Sequence, residues 1–372
     1  MKHFLRNMWL AMAGTLVLSG CITDENDGDG GSCGTGCENT EGFYVVNQGN
    51  TGFQIVGSLD WVNLANDSIT SGIFKKANNQ ALGENPQNAV ICGSKMYIAE
   101  FSSNRIWVVS ANTAVLQGQV ALTQPNKVYT DGTYVYATSN TGTVARIDTT
   151  SFQATEIPVG PNPVGMVVAN GYLYVANSDG YNFQNNYENG KSVSKIALSS
   201  FQEVKKIPVG LNPTGLVADS QGNVFVACTG DFGATPPMIQ KITPNDEVSD
   251  FTSASMMAVD GEKLYLIKQS YDANWNSTYD YFTMNSLTGD TLTSASSPML
   301  RSNLPDNPTG IFIEPQSHDI YITSDAATPT DGSSSQYALK GSVMQYCPKG
   351  YFQKRYNVNV HPVCIVFKTE IG

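Results

Sequence analysis

Histidine most often transfers protons or holds transition metals near neutral pH. The chain has only three, His3, His318 and His361. His3 lies in an N-terminal leader, and His318 falls in a hairpin expected on the face opposite the long loops. No Ser-His-Asp triad or histidine metal cluster can be assembled from these, so the chain reads as a non-enzyme that requires no cofactor. Asp272-x-Asn274-x-Asn276 with Asp280 spaces oxygen donors like a calcium loop. It lacks the Gly at position six and the Glu at position twelve, so no metal is expected there. None of the seven cysteines forms a C-x-x-C pair.

What remains is recognition chemistry, carried by two sets of residues. The first set sits beside prolines: Asn85, Asn126, Asn162, Asn212 and Asn307, with His361 in the last copy. Asn before Pro favours a turn, because the preceding residue avoids the helical region. The same side chains also form a ring of amide donors and acceptors. Asn47, at the end of the first aromatic-rich strand, joins them. The second set is aromatic and lies in long polar segments. Phe101 follows Glu100, and Tyr181, Phe183 and Tyr187 lie in Ser178 to Lys191. Phe232 follows Asp231, Tyr271 and Trp275 lie in Gln269 to Asp280, and Tyr337 lies in Ser324 to Lys340. Aromatics among Asn and Ser give large contact area at low entropic cost.

The elements that position these residues repeat. A turn followed by a small apolar strand recurs at each proline, with a degenerate copy at Ser253-Ala254-Ser255. An aromatic-rich strand also recurs seven times: Tyr44, Tyr97, Tyr136, Tyr174, Phe225, Tyr265 and Tyr321 mark its copies. Third and fourth strands follow, as in Arg105 to Val109 and Glu203 to Ile207. A period of about 47 residues with four short strands is a propeller blade. The predicted fold is all-β, a seven-bladed β-propeller over residues 42–368. The last inner strand, Val363 to Phe367, has nothing after it, whereas residues 42 to about 75 lack an inner strand. The two chain ends must therefore share one blade, which closes the ring and leaves no free edge.

In such a ring, the turn into each inner strand and the loop between second and third strands open on one face. Both candidate sets therefore fall on that face, where long loops on a rigid scaffold carry function. Cys92, Cys228, Cys347 and Cys364 sit in strand-like runs and are expected as small buried hydrophobes rather than bridges.

The composition agrees. Only 14% of residues are charged, against roughly 25% in ordinary soluble domains, which argues against long solvated helices. The net charge is -11, so nucleic acid is an unfavourable partner.

Residues 1–20 read as a signal peptide, with Lys2 and Arg6 before the apolar run Met8 to Leu18. That run is too short to span a bilayer. It ends in Leu18-Ser19-Gly20-Cys21, which resembles the lipobox of bacterial lipoproteins, with Cys21 as the lipidated residue. Residues 21–41 form a flexible Gly-rich tether. Within it, Cys33 and Cys37 could close a small loop. Asp24-Glu25-Asn26-Asp27 resembles the surface-export signal of Bacteroidetes lipoproteins, which implies an outer-membrane protein held by its lipid and facing outward.

Val159-Gly160-Pro161-Asn162-Pro163-Val164-Gly165 with Leu173-Tyr174-Val175-Ala176-Asn177 resembles the YVTN (YncE-like) propeller repeat. Val209 to Gly215 repeats it. Phe43 to Asn50 resembles the start of the Bacteroidetes lipoprotein propellers grouped as DUF5074. The resemblance extends to the BtuG-type cobalamin-binding lipoproteins. It implies capture of cobalamin (vitamin B12) as bound ligand and delivery to a TonB-dependent, BtuB-like outer-membrane transporter. A siderophore, haem or glycan would suit similar walls, and a protein-interaction or adhesion propeller is the reading from another class. Lactonase and lyase propellers resemble the fold, but need metal-binding carboxylates or His at the channel that this sequence does not offer.

Overall fold

Each repeat sets runs of Val, Ile, Tyr and Phe between Gly, Asn and Pro turns. Such runs make strands that bury both faces. The computed structural model describes residues 40–271, 276–293, 299–327, 329 and 335–369. The signal peptide, Cys21, the tether cysteines, Trp275 and the first donors of the calcium-like loop lie outside the described residues.

The described strands form seven sheets arranged as a β-propeller. Six sheets have four strands, and the sixth in chain order has three among the described residues. Both chain ends meet in blade 1. Its inner strand is Pro362–Thr369, followed outward by Thr40–Asn47, Ser58–Asn63 and Ser68–Thr70. The closing pair is antiparallel, with Phe43 opposite Phe367 and Val45 opposite Ile365. Asp60 staples blade 1 to blade 7. Its buried carboxylate accepts Asn359 N–H at 3.0 Å, Asn359 Nδ2 at 2.9 Å and Gly72 N–H at 2.8 Å. Burial still pushes its pKa above the usual carboxylate value.

The recurrent aromatic of each second strand is the core of the ring. Tyr44, Tyr97, Tyr136, Tyr174, Phe225, Tyr265 and Tyr321 are each at most 1% exposed. Neighbouring strands and blades supply partners, as where Phe43 meets Tyr321 edge-on at 5.2 Å and Phe225 meets Phe251 at 5.1 Å. The prolines set the inner strands. Pairing with the second strand shifts register just after Pro86, Pro125, Pro163, Pro213 and Pro308. Proline has no N–H for the ladder, so the strand bulges there. Blade 6 lacks the proline, and its inner pair keeps regular register.

Three expectations are corrected. Gln269 to Asp280 is mostly strand, because Lys263–Tyr271 and Ser277–Asn285 stay paired as far as Tyr271 opposite Ser277. Thr278, Tyr279 and Tyr281 are strong strand formers that extend the hairpin. In blade 3 the left-handed turn residue is Gln124, with φ 44°, before Pro125. Asn126 lies beyond it, in strand Pro125–Thr130. Cys92, Cys228 and Cys364 are buried and free, but Cys347 is disulfide-bonded. A cysteine just past a strand end can serve as a half-bridge as readily as an apolar residue, and local hydrophobicity does not distinguish the two. No helix among the described residues is long and apolar enough to cross a membrane.

Candidate functional site

The second-to-third strand loops open on the same face as the turns that feed the inner strands. Six aromatic side chains among the described residues are exposed: Phe53, Tyr181, Phe183, Phe232, Tyr271 and Tyr337, from 48% to 69%. All six stand at or between the second and third strands of a blade. They come from blades 1, 4, 5, 6 and 7, so the apolar surface rings most of one face.

Several of these residues are held in place. Tyr181 donates its backbone N–H to Asn162 Oδ1 at 3.1 Å, and its hydroxyl accepts Asn140 Nδ2 at 3.1 Å. Phe232 meets Tyr187 edge-on at 6.3 Å. Tyr187 itself is buried, so it supports Phe232 rather than facing a ligand. Phe101 is half-buried.

The asparagines act mainly as struts. Asn162 Nδ2 donates to Asn140 O at 3.0 Å, Asn212 Nδ2 to Gly230 O at 3.2 Å, and Asn307 Nδ2 to Ala326 O at 2.8 Å. In each case a turn amide holds a second-to-third strand loop. Asn126 Nδ2 donates to Asn140 Oδ1 at 3.2 Å. Asn85 is anchored through its N–H on the buried Glu100 carboxylate at 3.0 Å, and its side-chain oxygen accepts Gln87 Nε2. Asn47 is fully buried, and its amide donates to Ser58 Oγ at 3.2 Å. The structure therefore does not bring Asn47 to the surface.

A cavity of about 340 Å³ opens among the blade 1 loop, the turn into blade 2 and blade 7. Gln48, Gly49, Asn50, Thr51, Glu84, Asn85, Tyr337 and His361 line it. His361 Nδ1 lies 3.0 Å from both oxygens of the buried Asp325 carboxylate. Its backbone carbonyl accepts Gln48 N–H at 2.8 Å, which ties the turn to blade 1. Among the described residues, no three His, Cys, Asp or Glu side chains converge on one point as a metal site.

Sequence reasoning missed Asp325, Phe53, Glu84 and Asn140. Phe53 stands in the Gln48–Gly57 loop, which follows the same rule as the loops that were found. Asp325 ends strand Ile320–Asp325 and catches the turn that leaves blade 7, whereas Asn177 and Glu100, at the ends of their strands, catch the turn that enters their own blade.

Residues 41–246 match the family model described as a domain of unknown function, DUF5074. The chain belongs to the DUF5074 family. No curated protein matches the sequence. Several solved structures resemble this DUF5074 chain in shape. Hydrazine synthase of Kuenenia stuttgartiensis aligns at TM-score 0.59 and 17% identity, over 76% of this chain and 89% of that one. The Cps50 (Swd1) β-propeller domain of Myceliophteria thermophila aligns at 0.52 and 10%, over 75% and 92%. The dihydro-heme d1 dehydrogenase NirN in complex with DHE aligns at 0.53 and 11%, over 89% and 76%. At these identities the likeness shows the fold alone.

Proposed function

We propose that this DUF5074 protein is a surface lipoprotein that captures cobalamin and delivers it to a TonB-dependent outer-membrane transporter. One observation carries the reading. Every exposed aromatic among the described residues stands on one face of the ring, and on that face, beside Tyr337, opens a cavity lined by amide, hydroxyl, carboxylate and imidazole groups. A wide, flat, amide-fringed corrinoid needs such a surface, with aromatic walls for its faces and polar groups for its edge. The repeat resemblance to BtuG-type lipoproteins points the same way. Leu18-Ser19-Gly20-Cys21 and the acidic residues after it support a lipid anchor and an outward-facing position at the outer membrane.

Calorimetric titration of the full chain in detergent, with cyanocobalamin, ferric haem and a ferric siderophore in parallel, tests the cargo. Saturable one-to-one binding of the corrinoid alone is expected. Heat only with an iron ligand would keep capture and replace the cargo. No heat with any of the three would overturn small-ligand capture in favour of a glycan or protein partner.

A further inference from the structure

We propose that His361 is an axial donor, its Nε2 binding the metal at the centre of a metal-containing macrocycle seated on the loop face. The inference rests on the capture reading and adds one named bond to it. The corresponding turns of blades 4 and 5 carry Asn162 and Asn212, with φ 40° and 55°, and His361 has φ 55°. Those asparagines donate to loop carbonyls. His361 instead aims Nδ1 at Asp325, 3.0 Å from each oxygen.

In the neutral imidazole, the carboxylate partner fixes the proton on Nδ1, which leaves the Nε2 lone pair available. A carboxylate behind one imidazole nitrogen is the arrangement that orients a metal-ligating histidine and raises its basicity. The carboxylate is largely sealed from water, with 8% of its side chain exposed, while the imidazole keeps 31%. His361 borders the 340 Å³ cavity, and no described residue hydrogen-bonds its Nε2. Glu84 and Tyr337 are the other ionisable groups on the cavity wall. The step is a ligand exchange: the metal–water bond breaks, the metal–Nε2 bond forms, and water leaves. No electron moves, and the Nδ1 proton stays on its bond to Asp325.

Visible absorption spectroscopy tests this with the full chain. The probes are aquacobalamin, whose water exchanges, and ferric haem. Cyanocobalamin, whose position is filled by cyanide, is the control. The aquacobalamin spectrum is expected to move to longer wavelength on binding, while that of cyanocobalamin stays fixed. His361→Asn should abolish the shift and weaken aquacobalamin binding by about tenfold or more, a larger loss than cyanocobalamin shows. Asn is already used at the matching left-handed turns, so this variant should fold, and an unchanged unfolding midpoint checks that it does. Asp325→Asn should weaken aquacobalamin by about tenfold while retaining a smaller shift. A shift with haem alone would keep the donor and change the cargo. Aquacobalamin binding without a shift, or a shift that survives His361→Asn, would overturn the donor and leave capture standing. Failure of all three macrocycles to bind would overturn both.

Discussion

Phe232 gives the capture reading a number. Its side chain is 69% exposed at the tip of the blade 5 loop and is supported from below by Tyr187. A phenylalanine offers roughly 200 Å² of surface, so about 140 Å² faces water. If a flat ligand covers half of that, about 70 Å² is removed from water, worth about 1.7 kcal/mol at roughly 25 cal/mol per Å². Phe232→Ala is therefore expected to weaken cyanocobalamin binding about twentyfold. Folding should hardly change, since an exposed substitution moves stability by about 0.5 kcal/mol or less. Alanine is preferred to glycine, because Phe232 has φ 57° and glycine would also relax the loop. The assay is calorimetric titration of variant and wild type, with thermal unfolding run beside it. An affinity unchanged within experimental error, at an unchanged midpoint, would remove the blade 5 loop from the site and refute the reasoning.

Two further predictions concern the scaffold. Phe225 is fully buried in a cluster with Leu264 and Leu266 of blade 6, so Phe225→Ala should cost about 3–5 kcal/mol by chemical denaturation; a loss below about 1 kcal/mol would contradict the inter-blade core. Burial raises Asp319 from the usual 3.8 to about 6, opposed by Gln345, whose amide donates to the carboxylate at 2.8 Å. The folded-state value is the higher one, so above pH 6 the fold carries a buried charge that the unfolded chain keeps in water. That penalty shrinks as pH falls through 6 and is gone below about 4. Asp319→Asn should therefore stabilise the protein at pH 7 by up to about 3 kcal/mol, with the difference closing by pH 4. Parallel denaturation curves at the two pH values check this, and a gain independent of pH would refute it.

The propeller was legible because its signals repeat. Seven aromatic second strands and the unpartnered strand at Val363 to Phe367 specified blade number and closure, and these depend on burial that every copy shares. Blade 6 was less legible. Its entering turn has no proline, its hairpin is long, and the polar, aromatic stretch from Gln269 reads as loop although Tyr279 and Tyr281 favour strand. At the candidate site, the sequence placed Tyr181, Phe183, Phe232 and Tyr271 on the exposed face. It could not tell that Tyr187 is a support or that Asn47 is buried, because local composition carries no exposure. Nor could it find the bond from His361 to Asp325, whose 36-residue separation closes only in the folded ring.

The central claim is that the face of the long loops holds the cargo. Hydrogen–deuterium exchange of the full chain, with and without saturating cyanocobalamin, tests it most directly. The account predicts slowed exchange in the loops around Phe53, Tyr181 to Phe183, Phe232 and Tyr337, with the opposite-face hairpins at Gly171 and Gly261 unchanged. Protection confined to those opposite hairpins, or none at all, would contradict it.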